Sequence, residues 1–159
     1  MRRLVIPLLA LAIGGVAAVR PEAVFWPAWL SIESPVNPAD PATRGALLLV
    51  HAMLRDGVPT VAELSGTAEG VVGGARRSVA LHFDVTPRPG VFAVRRQWPS
   101  DGTWLLEISF HATTAIATLD RDGAVASVRV PTHIEGGWQV PRAVGAKEID
   151  STLAAASRP

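Results

Sequence analysis

The feature that most constrains this chain is an alternation with period two. From Val19 onward, apolar side chains recur at every second position in short runs, and each run is closed by Gly, Pro or Asp. Residues 103–111 show it best, with Trp104, Leu106, Ile108 and Phe110 on one side. In residues 76–86, Val79, Leu81, Phe83 and Val85 point one way while Ser78, Ala80, His82 and Asp84 point the other. Such alternation belongs to half-buried strands, because successive side chains of a strand leave on opposite faces. Further strands are expected over 28–33, 45–54, 63–72, 91–97, 114–120 and 124–130, the last two joined across Asp122-Gly123. The run 45–54 is continuously apolar and fits a central strand or a short helix; flanking Pro41 and Asp56-Gly57 favour the strand. No helix-period segment intervenes before the C-terminus, so βαβ units are not expected. The expected fold is all-β, an antiparallel immunoglobulin-like β-sandwich of seven or eight strands over 45–141, preceded by a Pro-rich segment with the first strand over 19–44. Residues 142–159 read as a weakly ordered tail, with one or two short helical turns over 146–156.

The N-terminus departs from this pattern. Arg2 and Arg3 precede an apolar stretch from Leu4 to Ile13, and Gly14, Gly15, Val16, Ala17 and Ala18 supply small residues for cleavage. These are the three parts of a secretory signal, so residues 1–18 are expected to form a signal helix and to be removed. The alternative is an uncleaved anchor. The uncharged stretch of 16 residues is shorter than the roughly 20 that span a bilayer. Either way the domain is exported, to the periplasm or beyond. Its charge then changes sign: without Arg2 and Arg3, 13 basic residues face 14 acidic ones. A near-neutral domain lacks the basic face that nucleic acid requires. With no cysteine, disulfides, thiolate metal sites and cysteine nucleophiles are all excluded.

One stretch resembles a known group. Pro89, Gly90 and Phe92 open one strand, and Gly102 and Trp104 open the next after a turn. This is similar to the YtkA-like and CopC-like exported bacterial domains, over about twenty residues from Pro89 to Ser109. The resemblance implies an immunoglobulin-type sandwich in which Phe92 and Trp104 pack together between the sheets. Some members handle copper through Met- and His-rich loops. This chain has only two methionines and no closely spaced histidine pair, so copper chemistry does not carry over.

Few constellations point to catalysis. Asp84 lies two residues from His82 with Ser78 near, but no nucleophile elbow or oxyanion donors accompany them. Asp120, Arg121, Asp122 and Gly123 resemble the start of a calcium loop without its later ligands, and read as a hairpin turn. The chain is expected to be no enzyme and to need no cofactor. Five tryptophans offer more. In the simplest reading Trp29 and Trp104 are core, while Trp26, Trp98 and Trp138 cover sheet edges. In the functional reading Trp98 and Trp138, rimmed by Arg95 and Arg96, form an exposed patch for another envelope protein or a glycan. The resulting expectation is a noncatalytic exported binding or scaffolding module, in contact with membrane only through an uncleaved signal segment. The alternative is a periplasmic copper- or zinc-handling protein using the surface histidines His82, His111 and His133.

Overall fold

The computed structural model describes residues 28–54 and 57–157. The expected signal helix and Trp26 lie outside the described residues. The described strands are β1 (Trp29–Glu33), β2 (Leu48–Met53), β3 (Leu64–Val72), β4 (Ala75–Ala80), β5 (Asp84–Val85), β6 (Val91–Val94), β7 (Thr103–Phe110), β8 (Thr113–Leu119), β9 (Val125–Arg129), β10 (Thr132–Glu135) and β11 (Trp138–Pro141). A helix, α1, spans Ala146–Ala156.

The strands form one sheet ordered β1-β2-β6-β5, a second ordered β4-β3-β7-β8-β9, and a separate β10-β11 hairpin, all antiparallel. Lettered along the chain, the first sheet is A-B-E-D and the second C′-C-F-G, the immunoglobulin strand order, with β9 added beyond G. The core lies between the sheets. Leu30, Leu48, Val50, Phe92 and Val94 from the smaller sheet meet Ala68, Trp104, Leu106, Ile108, Phe110 and Ala117 from the larger one. Phe92 and Trp104 both lie in this core.

Eleven strands are described against the seven or eight expected. Part of the excess is the break of the long alternating run 76–86. Its first half pairs with β3 as β4, and its second half crosses to the other sheet and pairs with β6 as β5. Alternation survives such a crossing, so it carries no mark of the change of sheet. Val85, expected inside with Val79, Leu81 and Phe83, is 73% exposed because β5 ends at the sheet's edge. The rest of the excess is the β10-β11 hairpin, closed by Gly136 and Gly137. Both have positive φ, as a two-residue type I′ turn demands.

The tail expected to be weakly ordered is instead an eleven-residue helix of about three turns. Its buried Ile149 and Leu153, one turn apart, dock on Leu105 and Ile116 on the outer face of the larger sheet. Arg129 and Arg142 both bind the Glu148 carboxylate at 2.8 Å, tying the first turn of α1 to β9 and to the residue just after β11. The apolar face of this helix is only two residues wide, so its period hardly registers in the sequence.

Candidate functional site

The tryptophan–arginine patch does not assemble. Trp98 is buried, 5% exposed, because the β6–β7 connection crosses the end of the core and lays the indole against Trp104, ring centroids 6.4 Å apart. Arg95 is engaged with the Asp84 carboxylate. Arg96 donates to the carbonyls of Gly123 (3.1 Å) and Asp122 (3.4 Å) at the β8–β9 turn. Trp138 is 78% exposed on the separate hairpin, where the register puts it on one face with His133, Glu135 and Val140. Trp29, expected in the core, is 57% exposed. It shares a face of β1 with Ser31 and Glu33, opposite to inward-facing Leu30.

The histidines are dispersed as well. His82 lies 3.4 Å from Asp84 at the sheet crossing, His111 3.4 Å from Glu63 at the β7–β8 turn, and His133 3.4 Å from Glu135 on β10. His51 is 2.8 Å from Glu33 on the outer face of the smaller sheet. Each imidazole has its own carboxylate, the pairs lying on different parts of the fold. Among the described residues no group of three or more His, Asp or Glu side chains is placed to hold a metal ion. Ser78 donates to Glu69 at 2.6 Å rather than serving His82. Asp120 accepts from the backbone N–H groups of Asp122 and Ala124, which makes the aspartate-rich segment a hairpin turn.

Three carboxyl groups are displaced from their ordinary values. The Thr60 backbone N–H, its hydroxyl and His111 hold Glu63 low. Arg129 and Arg142 hold Glu148 low. Partial burial, and then the nearby Glu69 carboxylate, push Glu107 up on the outer face of the larger sheet. The two lowered groups sit in structural contacts, and Glu107 lies on the outer face of the larger sheet, opposite Thr67 and Ile116 in register.

What the fold does build is a groove. The larger sheet has five strands and the smaller four, so among the described residues β9 overhangs the edge of the sandwich with no strand opposite. Val128 pairs in register with core residue Ala117, so it faces inward, yet it is 40% exposed. The space beneath it is an open groove of about 450 Å³ lined by Trp29, Leu30 and Ile32 of β1, Val128 and Val130, and Gln139 and Pro141 of the hairpin. That volume falls within the roughly 300–1,000 Å³ of ligand sites. One side of it is β1, whose edge away from β2 has no paired strand among the described residues.

The four edges of the two sheets are not alike. Edge strands invite another strand unless charge, irregularity or brevity prevents it. β4 carries Arg76 and Arg77, β5 has two residues, and β9 carries Arg129 and an irregular register at Thr118/Leu119. β1 carries four uncharged residues, Trp29, Leu30, Ser31 and Ile32, before Glu33, with a regular register to β2 and, among the described residues, no strand on its other side. Sequence reasoning missed this site because unequal strand counts leave no trace in any single strand. No protein-family model matches the chain, and neither a curated protein nor a solved structure shows significant similarity to it.

Proposed function

We propose that this chain is a noncatalytic, exported binding module of the bacterial envelope that takes an extended segment of a partner protein into the groove between β1 and β9. The observation that carries the reading is the β1 edge, uncharged from Trp29 to Ile32 and unpaired among the described residues, beside the groove under Val128 and Val130. Strand addition at a sheet edge draws affinity from backbone hydrogen bonds and selectivity from pockets for alternate side chains. Here Leu30, Ile32, Val128 and Val130 form the apolar side, which selects a partner strand with apolar residues at every second position. Export is supported by Arg2, Arg3 and the apolar run to Ala18, and the resemblance to YtkA-like and CopC-like domains agrees with that address. Among the described residues no helix is long and apolar enough to cross a membrane.

The test is a titration of the ¹⁵N-labelled chain with a heptapeptide alternating threonine and valine. Shifts confined to the amides of β1, β9 and the hairpin base support the reading, and Val128→Asp should abolish them. Shifts scattered over both sheets, or shifts that survive Val128→Asp, would refute it.

A further inference from the structure

The outer face of the smaller sheet brings together a thioether, an imidazole and an indole. Trp29 on β1 and Met53 on β2 stand directly opposite each other in register, and His51, opposite Ser31, lies two residues before Met53. Inward-facing Leu30, Val50 and Ala52 alternate with them, so all three side chains leave the sheet on the side away from the core. Trp29 is 57% and Met53 55% exposed. Met53 is the chain's one methionine after Met1, and it stands at the surface rather than filling the core. We propose that His51, Met53 and Trp29 form a binding site for a soft monovalent cation, Cu(I). The site uses none of the dispersed histidines His82, His111 and His133, and it does not rest on the strand-addition reading.

Each group has a definite part. Opposed residues of a sheet lie about 5 Å apart and alternate residues of a strand about 7 Å, within the joint reach of these side chains. The His51 Nε2 is 2.8 Å from the Glu33 carboxylate. A carboxylate only accepts, so Nε2 carries the proton and Nδ1 keeps its lone pair for a metal. Arg88, 3.7 Å from the same Glu33 oxygen, helps to hold that carboxylate in place. A ligating histidine that donates its other N–H to a carboxylate is the common arrangement in metal sites, because it fixes tautomer and ring orientation. The Met53 sulfur is the soft partner that favours Cu(I) over harder ions. Beside it, the Trp29 ring offers a π face that attracts a cation electrostatically. Two donors and an aromatic face are too few for Zn(II), which takes four ligands, but they suit a soft ion of low coordination number.

The chain has no cysteine, so no thiolate competes for a soft metal. Ag(I) is the probe, a redox-inert ion of the same charge and softness. The full-length chain, labelled with ¹³C-methyl methionine and ¹⁵N-histidine, is titrated with silver nitrate in chloride-free buffer. One equivalent is expected to shift the Met53 methyl and the His51 Nδ1 together, with micromolar or tighter affinity, while the Met1 methyl stays in place. Zn(II) in about tenfold excess should not reverse these shifts. Met53→Leu, which keeps size and apolarity, and His51→Gln should each weaken binding by about tenfold or more, and Trp29→Leu severalfold. Amide spectra show whether each variant keeps the fold, and the Nδ1 shift and the Zn(II) competition test the site on the unaltered chain. Binding weaker than micromolar, metal on His51 Nε2, displacement by Zn(II), or unchanged affinity in a folded Met53→Leu would overturn the site.

Discussion

Gly70 and Trp104 stand directly opposite each other in the β3–β7 register, and the indole of Trp104 occupies the space where a side chain at position 70 would begin. A Cβ added at Gly70 would overlap the six-membered ring. The indole Nε1–H donates to the Asp101 carbonyl at 2.7 Å, which fixes the ring over the glycine. A glycine inside a central strand is ordinarily a weakness; here it is the seat that lets a large core aromatic lie flat against the sheet. Gly70→Ala is therefore expected to destabilise the fold by about 1–3 kcal/mol, the usual cost of overpacking. Urea unfolding monitored by tryptophan fluorescence checks it. Gly70→Ala in a Trp104→Leu background should cost clearly less, since the two positions are coupled through contact.

The docking of α1 gives a second expectation. Leu153 is 2% exposed and, with Ile149, makes the helix's apolar contact with Leu105 and Ile116. Leu153→Ala should cost about 2–5 kcal/mol of helix docking. Because the helix lies outside the two-sheet core, the loss should be local. Hydrogen exchange should rise in Ala146–Ala156 while the β3, β7 and β8 amides stay protected.

Strand alternation in 103–111 reports directly which faces are buried, and Trp104, Leu106, Ile108 and Phe110 are all in the core. It is silent about which sheet a strand joins, so the crossing between Ala80 and Asp84 was not legible. Nor does it tell a tryptophan at a surface turn from one at a turn that closes the core. Trp98 and Trp138 both sit beside turns, and their burial is opposite. The site depended on the overhang of β9, a relation between sheets rather than a pattern along the chain. The turn at Asp122-Gly123 was legible because Gly123 takes positive φ, which few other residues adopt cheaply; the Gly136-Gly137 turn uses the same device, but its short flanking strands gave no alternation to mark it.

The two tryptophans of the expected patch should separate in experiment. Trp98→Ala removes an indole packed on Trp104 and should cost about 3–5 kcal/mol. Trp138→Ala, at an exposed hairpin position, should change stability by no more than about 0.5 kcal/mol. Thermal unfolding of the two variants decides it. Comparable losses would contradict the placement of Trp98 in the core.

Metal titration follows from the separation of the histidines. His82, His111 and His133 each face one carboxylate, the three pairs lying on different parts of the fold, and one or two ligands hold Cu(II) or Zn(II) poorly. Histidine NMR signals are expected to respond independently, with binding no tighter than about millimolar. Micromolar binding that moves two of these histidines together would restore the metal-handling alternative.

Glu148 in α1 and Glu107 on the outer face of the larger sheet should shift stability with pH in opposite directions. Arg129 and Arg142 hold Glu148 below its ordinary value of 4.5, so in this range the unfolded chain binds the proton more readily than the folded one. The contribution of Glu148 is complete above 4.5 and is lost as pH falls through the lowered value. Glu148→Gln is therefore expected to cost about 0.5–1 kcal/mol at neutral pH, a partly exposed ion pair's worth, and nearly nothing in strong acid. Glu107 is the reverse case. Partial burial and Glu69 raise its value, so the folded state holds the proton more tightly. Its ionised form opposes folding increasingly as pH rises from 4.5 through the raised value. Glu107→Gln should thus stabilise the protein at neutral pH and leave it unchanged in acid. Urea unfolding of both variants at neutral and acid pH tests the pair. If Glu107→Gln destabilises at neutral pH, its carboxylate has a partner in solution that the outer face of the larger sheet does not display.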